Sequence, residues 1–435
     1  MALTARTGFP DRTRVQRRTL TVLFGTQILG GIGVALGIAV STLLAEQVAS
    51  ADVAGFAQTA TVLGAAVVVA PISRLIAARG RRAGLTFGYL LAAAGAVIAV
   101  VAGTAGLYPL LLVGMLAFGS GTATNLQARY AAADLATPER RGQALSMVVW
   151  ATTLGAVAGP NLAEPAGRLS GALGIPALAG GFVVSAVVFL LGGLVILALL
   201  RPDPLLVARA AEEEHGGEAS PRTRRSLRAA LGTIRRSPGA SLGLAAVATG
   251  HTAMIAVMAL TPVHMGQYGA TLQVIGLVIS GHVAGMYALS PVVGWLSDRF
   301  GRIAVILGGQ ATLLLSLLLA GTAPPHATVA IGGAMFLLGL AWSCGLVAGS
   351  TLLTESVPTA DRPLVQGAAD SIMAFCGAAG SAAGGLVIGL AGYGVLNALA
   401  AALPIPVLVL VYRAHRAGRR RAAAAPAASA AAPPR

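Results

Sequence analysis

Twelve stretches of the chain are long and apolar enough to cross a bilayer, and arginines fill alternate gaps between them. A membrane helix needs roughly 20 predominantly apolar residues, because the backbone must satisfy its own hydrogen bonds in hydrocarbon. The stretches run at 20–45, 53–75, 83–103, 109–134, 142–163, 178–200, 240–264, 271–296, 303–321, 327–353, 364–389 and 394–413, here spans 1 to 12. All 30 basic residues are arginine, and Arg168 is the only gap arginine of the opposite parity. Positive charge marks the cytoplasmic ends of membrane helices. The pattern therefore predicts an all-α, multi-pass protein of the cell (inner or plasma) membrane, with both termini in the cytoplasm.

Composition supports this reading. Charged residues make up 10 % of the chain and hydrophobic ones 56 %, where soluble domains carry roughly 25 % charged residues. The net charge of +15 flanks apolar spans instead of forming one basic face, which argues for a lipid bilayer and against nucleic acid as partner. Cys344 and Cys376 lie inside spans, and no Cys/His cluster has metal-ligand spacing. No metal and no cofactor is expected. The apolar run after residue 19 exceeds the 7–15 residues of a signal-peptide core, so it reads as an uncleaved first span.

One gap is long. Residues 201–239 run from Arg201-Pro202-Asp203-Pro204 through Glu212-Glu213-Glu214 to an arginine-rich end. This mixed-charge segment predicts a surface linker with one amphipathic helix. The expected organisation is a tail at 1–19, six spans at 20–200, the linker at 201–239, six spans at 240–413, and a disordered Arg/Ala/Pro-rich tail at 414–435.

The two halves repeat. Asp134 precedes Arg141 by seven residues with Pro138 between them, and Glu355 precedes Arg362 likewise with Pro358 between them. The gap after span 2 carries Gly80-Arg81-Arg82, and the gap after span 8 ends in Asp298-Arg299-Phe300-Gly301-Arg302. Paired repeats of this kind are typical of secondary transporters.

These motifs make the resemblance specific. Gly294, Leu296, Asp298, Arg299, Gly301 and Arg302 match the G-x-L-x-D-R-x-G-R signature of the major facilitator superfamily, and the chain resembles that superfamily over about 20–413. The resemblance implies twelve transmembrane helices in two pseudo-symmetric six-helix bundles. In the first half Ser73 stands at the leading glycine and Ala77 at the aspartate, so that copy departs from the family pattern. The family's span-4 arginine is also absent: Met115 stands four before Gly119, and Arg129 lies farther along. Gly155, Gly159 and Pro160 in span 5 resemble the G-x-x-x-G-P signature of twelve-span drug:proton antiporters. The same residues would also serve as a close-packing seam followed by a bend.

The resemblance implies a latch at the cytoplasmic side. Asp134 and Glu355 would pair with arginines of neighbouring loops: Arg81 or Arg82 in one half, Arg141 and Arg302 in the rest. Asp298, Arg299, Gly301 and Arg362 complete the set. The alternative is that these charges only fix topology.

Ionisable residues inside spans are costly and therefore mark function. Asp370 enters span 11 by about six residues, or roughly 9 Å. It is a candidate proton site, or else a helix-start carboxylate. His251 and His282 could titrate, or could be packing residues. Asn125 and Arg129 fall on one face of span 4 at four-residue spacing, beside Gln127. With Gln27 they are cavity candidates.

A chain without lysine has no Walker lysine, which excludes that route of ATP coupling. No catalytic constellation appears on one face, so an enzyme is not expected. The reading is a secondary active transporter, functional as a monomer, that exports small organic molecules against protons. Uptake of a nutrient or metabolite is the alternative, and a non-transporting receptor or scaffold a third.

Overall fold

The structure, a computed structural model, describes residues 11–214 and 227–413. The expected tail at 414–435, the first ten residues and the centre of the linker lie outside the described residues. Every element among the described residues is helical.

Among the described residues, ten helices are long and apolar enough to cross a membrane, or eleven when the bent pair Pro138–Gly159 and Ala163–Leu173 counts as one span. The longest, Arg362–Arg413, contains Gly392 at φ +83°, a left-handed break that joins two helices. Spans 11 and 12 meet there.

Other spans are interrupted too. Span 4 divides at Gly119 into Tyr108–Phe118 and Ser120–Ala133, and span 7 into Pro238–Met258 and Thr261–Gln267. Span 8 divides into Leu272–Tyr287 and Ser290–Phe300, and span 5 bends by 57° after Gly159. Broken helices are characteristic of transporter folds, because irregular backbone is tolerated only away from lipid.

Contacts group the chain into two compact units. One comprises Met1–Ala230, Tyr287–Arg299 and Pro358–Phe375, the other Leu231–Met286, Phe300–Val357 and Cys376–Arg435. In the first unit, span 1 packs against spans 5 and 6. Glycine makes the approach possible: a Cβ at Gly155 would lie 2.5 Å from the Ile28 carbonyl oxygen and 2.7 Å from Gly31 Cα. A Cβ at Gly159 would lie 2.7 Å from Ala35 Cβ. The glycines of the antiporter-type motif thus form the seam between spans 1 and 5. On its other side span 1 meets aromatic rings. Phe118 sits edge-on to Phe182 and Phe189 at 5.6 and 5.4 Å between centroids.

In the second unit, span 10 packs against spans 7 and 9. Gly243 and Gly349 leave no room for a side chain at the crossing with span 7, since a Cβ at Gly243 would lie 2.6 Å from the Gly349 carbonyl. Large apolar side chains point outward instead. Val329 and Leu390 are 88 % and 87 % exposed, as expected of surfaces made for lipid.

Two outcomes differ from the sequence pattern. The first helix starts at Arg12, with the Asp11 side chain accepting from the Thr13 amide at 2.9 Å. Polar residues before residue 20 thus continue the helix. Among the described residues, the 201–239 segment holds the helices Pro204–Glu214 and Leu227–Arg236 where one was expected. The second is amphipathic with Arg235 and Arg236 in its last turn. The first buries Leu205, Val207 and Ala208, an apolar stripe too short to resemble a span.

Candidate functional site

The repeated gap residues keep one offset. The later member of each pair is numbered 221 above the earlier: Gly80 and Gly301, Arg81 and Arg302, Asp134 and Glu355, Arg141 and Arg362. Both glycines are left-handed, at φ +89° and +90°, which a residue with a Cβ adopts only at a cost of roughly 1–2 kcal/mol. Each turns the chain from one helix into the next and leaves an arginine at its first position.

Those arginines make equivalent ion pairs. Arg81 grips Asp134 through Nε at 2.7 Å and Nη2 at 3.1 Å, and Nη2 also donates to Gln366 Oε1 at 2.7 Å. Arg302 grips Glu355 through Nε at 3.1 Å and Nη2 at 2.8 Å. Their surroundings differ. Both side chains of the first pair are fully buried, whereas those of the second are 13 % and 21 % exposed.

Arg82, the other arginine considered for Asp134, lends its backbone N–H to Asp203 at 2.8 Å. Arg299 ends its helix exposed. Arg362 is buried within electrostatic range of Asp134, Arg141, Glu212 and Arg81.

The signature aspartate has its own partners. Asp298 accepts from the backbone N–H groups of Gly142 at 2.9 Å and Gln143 at 2.8 Å, in the first turn of the helix Arg141–Asn161. A carboxylate at a helix start satisfies free amides and meets the positive end of the dipole. Beside it, a Cβ on Gly294 would collide with the Ser146 hydroxyl. The first-half copy reverses that contact: a Cβ on Gly367 would collide with the hydroxyl of Ser73. By the same offset Ala77 stands for Asp298 and Pro363 for Gly142. The carboxylate and one of its amide donors are lost together.

A second cluster lies deeper, where spans 4 and 11 meet. Arg129 Nη2 lies 2.6 Å from Asp370 Oδ1, and Gln127 Nε2 donates to Asp370 Oδ2 at 2.8 Å. The Tyr130 hydroxyl lies 3.3 Å from Oδ1 and accepts from Arg129 Nη2 at 3.0 Å. Arg129 also donates to the Leu126 carbonyl at 2.5 Å. Both charged residues are 1 % exposed. A buried pair of opposite charges is stable only when its remaining donors and acceptors are also met. Gln127, Tyr130 and Leu126 supply those partners here.

The remaining candidates fall elsewhere. Asn125 accepts from the Tyr89 hydroxyl at 2.7 Å, and its carbonyl accepts from Gln27 Nε2 at 3.0 Å. These three tie spans 1, 3 and 4 together. In the second unit, His251 Nδ1 lies 3.1 Å from Trp342 Nε1. Indole N–H only donates, so Nδ1 accepts and the neutral ring carries its proton on Nε2. His282 makes the opposite choice. Its Nδ1 lies 2.8 Å from the Met335 carbonyl, so it donates there, beside an apolar cavity lined by Met258, Met265 and Met335.

Sequence reasoning missed Gln366, Tyr130, Asp203 and Arg209. Gln366 was one turn before Asp370, a same-face spacing that carried a signal. Asp203 and Arg209 sit in a linker whose polarity matched any surface loop.

The profile of the Major Facilitator Superfamily matches residues 21–269 and 242–434. The chain belongs to the major facilitator superfamily. It is a multi-pass membrane transporter and not an enzyme. It is 38 % identical over 408 residues to the uncharacterized MFS-type transporter YdeG of Bacillus subtilis, covering 92 % of this chain and 93 % of that protein. It is 29 % identical over 400 residues to the riboflavin transporter RfnT of Brucella anthropi, covering 91 % and 94 %. Among solved structures, the human organic anion transporter MFSD10 superimposes with a TM-score of 0.69 at 17 % identity, covering 91 % of this transporter and 99 % of MFSD10. That likeness speaks to the fold alone.

Proposed function

We propose that the transporter is proton-coupled and that Asp370 is its proton site. The observation behind this is the buried contact of Asp370 with Arg129, Gln127 and Tyr130. A proton added to Asp370 removes the charge that Arg129 faces. The guanidinium then holds an uncompensated charge in a buried place, which favours rearrangement or an anionic group of the substrate in place of the carboxylate. Loss of the proton restores the pair. One charge moved through about 100 mV is worth ~2.3 kcal/mol, enough to drive roughly fifty-fold accumulation.

The arginine-rich side is taken as the cytoplasm, in the plasma membrane, with the transporter acting as a monomer. Arg81–Asp134 and Arg302–Glu355 are then latches that close the cytoplasmic end. Export of small, amphipathic organic compounds is the reading favoured by the resemblance of Gly155, Gly159 and Pro160 to the antiporter signature. Uptake is the second reading, favoured by the relative named a riboflavin transporter.

Proteoliposomes loaded with radiolabelled riboflavin, and then with a panel of amphipathic compounds, test this. Asp370→Asn should abolish accumulation driven by a pH gradient while sparing substrate exchange. Full driven transport in that variant removes Asp370 from the mechanism. Inside-out against right-side-out vesicles separate export from uptake.

A further inference from the structure

The first-half loop has lost its aspartate, yet its place is not left empty. The linker helix Pro204–Glu214 lies there. Arg209 Nη1 donates to the Ala77 carbonyl at 3.0 Å, at the very position where the signature aspartate would stand, and Nη2 reaches the Ala360 carbonyl at 3.3 Å. One planar guanidinium therefore ties the end of span 2 to the segment that leads into span 11. Three residues on, on the same face of the helix, Glu212 accepts from the Thr359 hydroxyl.

The base of this helix is anchored separately. The Asp203 carboxylate accepts from the Arg82 amide at 2.8 Å, and from the Leu205 and Leu206 amides at 3.0 and 3.3 Å. A single carboxylate thereby caps two helix starts, that of span 3 and that of the linker helix. Leu205 is buried against Val69, Ile72, Ile76 and Ala123. Val207 and Ala208 pack with Val15 and Leu135. Apolar contacts thus hold the helix to the helices that carry spans 1 and 2 and to span 4 and the residue after it, while Arg209 and Glu212 reach the 359–360 segment.

We propose that the linker helix replaces the missing half of the latch, with Arg209 as its positioning residue. In the second copy a carboxylate accepts from helix amides. In the first, where Ala77 offers no carboxylate and Pro363 no N–H, the polarity is inverted and a cation donates to backbone carbonyls. The bonds to Thr359 and Ala360 break when the arginine-rich end opens, and the apolar anchor stays. This rests on alternating access and is independent of which ion drives it.

The test needs neither substrate nor proton gradient, so its failure would leave the Asp370 reading untouched. The full chain, with Cys344→Ala and Cys376→Ala, is placed in proteoliposomes with one of two buried reporters. Ser73→Cys faces Gly367 at the arginine-rich end, and Met265→Cys lies at the other end of span 7. A membrane-impermeant maleimide is applied to the side each reporter serves. Arg209→Ala should speed labelling at Ser73→Cys on the order of tenfold, the usual scale for losing charge-assisted hydrogen bonds, and slow it at Met265→Cys. Arg209→Lys, a point charge without a fork, should recover only part of the effect. Glu212→Gln, a change at an exposed position, should shift both reporters in the same senses by a smaller factor and serves if Arg209→Ala does not fold. Unchanged labelling at Ser73→Cys overturns the proposal. So does faster labelling at both reporters, which would mean general loosening.

Discussion

Asp134→Ala and Glu355→Ala should destabilise the protein very unequally, although the two residues hold matching places in the repeat. Each removes the acidic partner of an arginine that grips it through Nε and Nη2. The Arg81–Asp134 pair has no exposed side-chain surface, while Arg302 and Glu355 retain 13 % and 21 %. Removing one member of a fully buried pair strands the other charge, at about 3–5 kcal/mol. Removing a partly exposed partner lets water replace it, at about 0–1 kcal/mol. At roughly 1 °C per kcal/mol for a chain of 435 residues, Asp134→Ala should lower the unfolding midpoint by about 3–5 °C and Glu355→Ala by at most about 1 °C. Gln366 stays beside Arg81 in the variant and keeps the loss toward the lower end, since its Oε1 still accepts from Nη2. Thermal unfolding in detergent, followed by tryptophan fluorescence, reads the difference. The double variant Arg81→Met/Asp134→Leu should recover most of the loss, because the penalty is one of an unpaired buried charge. Equal shifts for the two single variants would refute the argument from burial. A double variant as damaged as the single would show that shape, not charge, dominates the site.

Other outcomes follow from close contacts and caps. Gly155→Ala should destabilise by about 1–3 kcal/mol through overpacking of the span 1–5 seam, whereas Gly281→Ala, with nothing within 4 Å, should be neutral in the same melting assay. Asp298→Ala should lose the two amide bonds to Gly142 and Gln143, worth roughly 0.5–2 kcal/mol as a cap. Faster hydrogen exchange confined to the first turn after Arg141 would check it.

Much of this arrangement was legible in the chain. Apolar length and arginine parity pointed to the membrane helices, and the recurrence of Asp134 and Glu355 seven residues before an arginine pointed to the paired gaps. Which arginine pairs with which acid was not legible, because Arg81 and Arg82 differ by one position and the left-handed Gly80 decides how each enters its helix. Asp370 was visible as a rare acid, and Arg129 as a rare base, but they are 241 residues apart. Nothing local in either segment announces the other. The burial that separates the two ion pairs is a property of the surrounding helices and is written in no motif. Helical coverage before residue 20 and within 204–214 was missed because apolarity, the signal used for spans, is absent or brief there.

The exchanged Gly/Ser contacts set a limit on grafting between the halves. At one junction the serine, Ser146, sits on span 5 and the glycine, Gly294, on span 8. At the other the serine, Ser73, sits on span 2 and the glycine, Gly367, on span 11. Each junction needs one small hydroxyl and one bare backbone, whichever side supplies them. Copying the second-half loop onto the first would make the change Ser73→Gly, leave Gly367 facing bare backbone and open a hole. The reverse graft would make the change Gly294→Ser and force a second hydroxyl into the space that Ser146 already fills. The halves share one plan, but their surfaces have become complementary partners that must change in pairs.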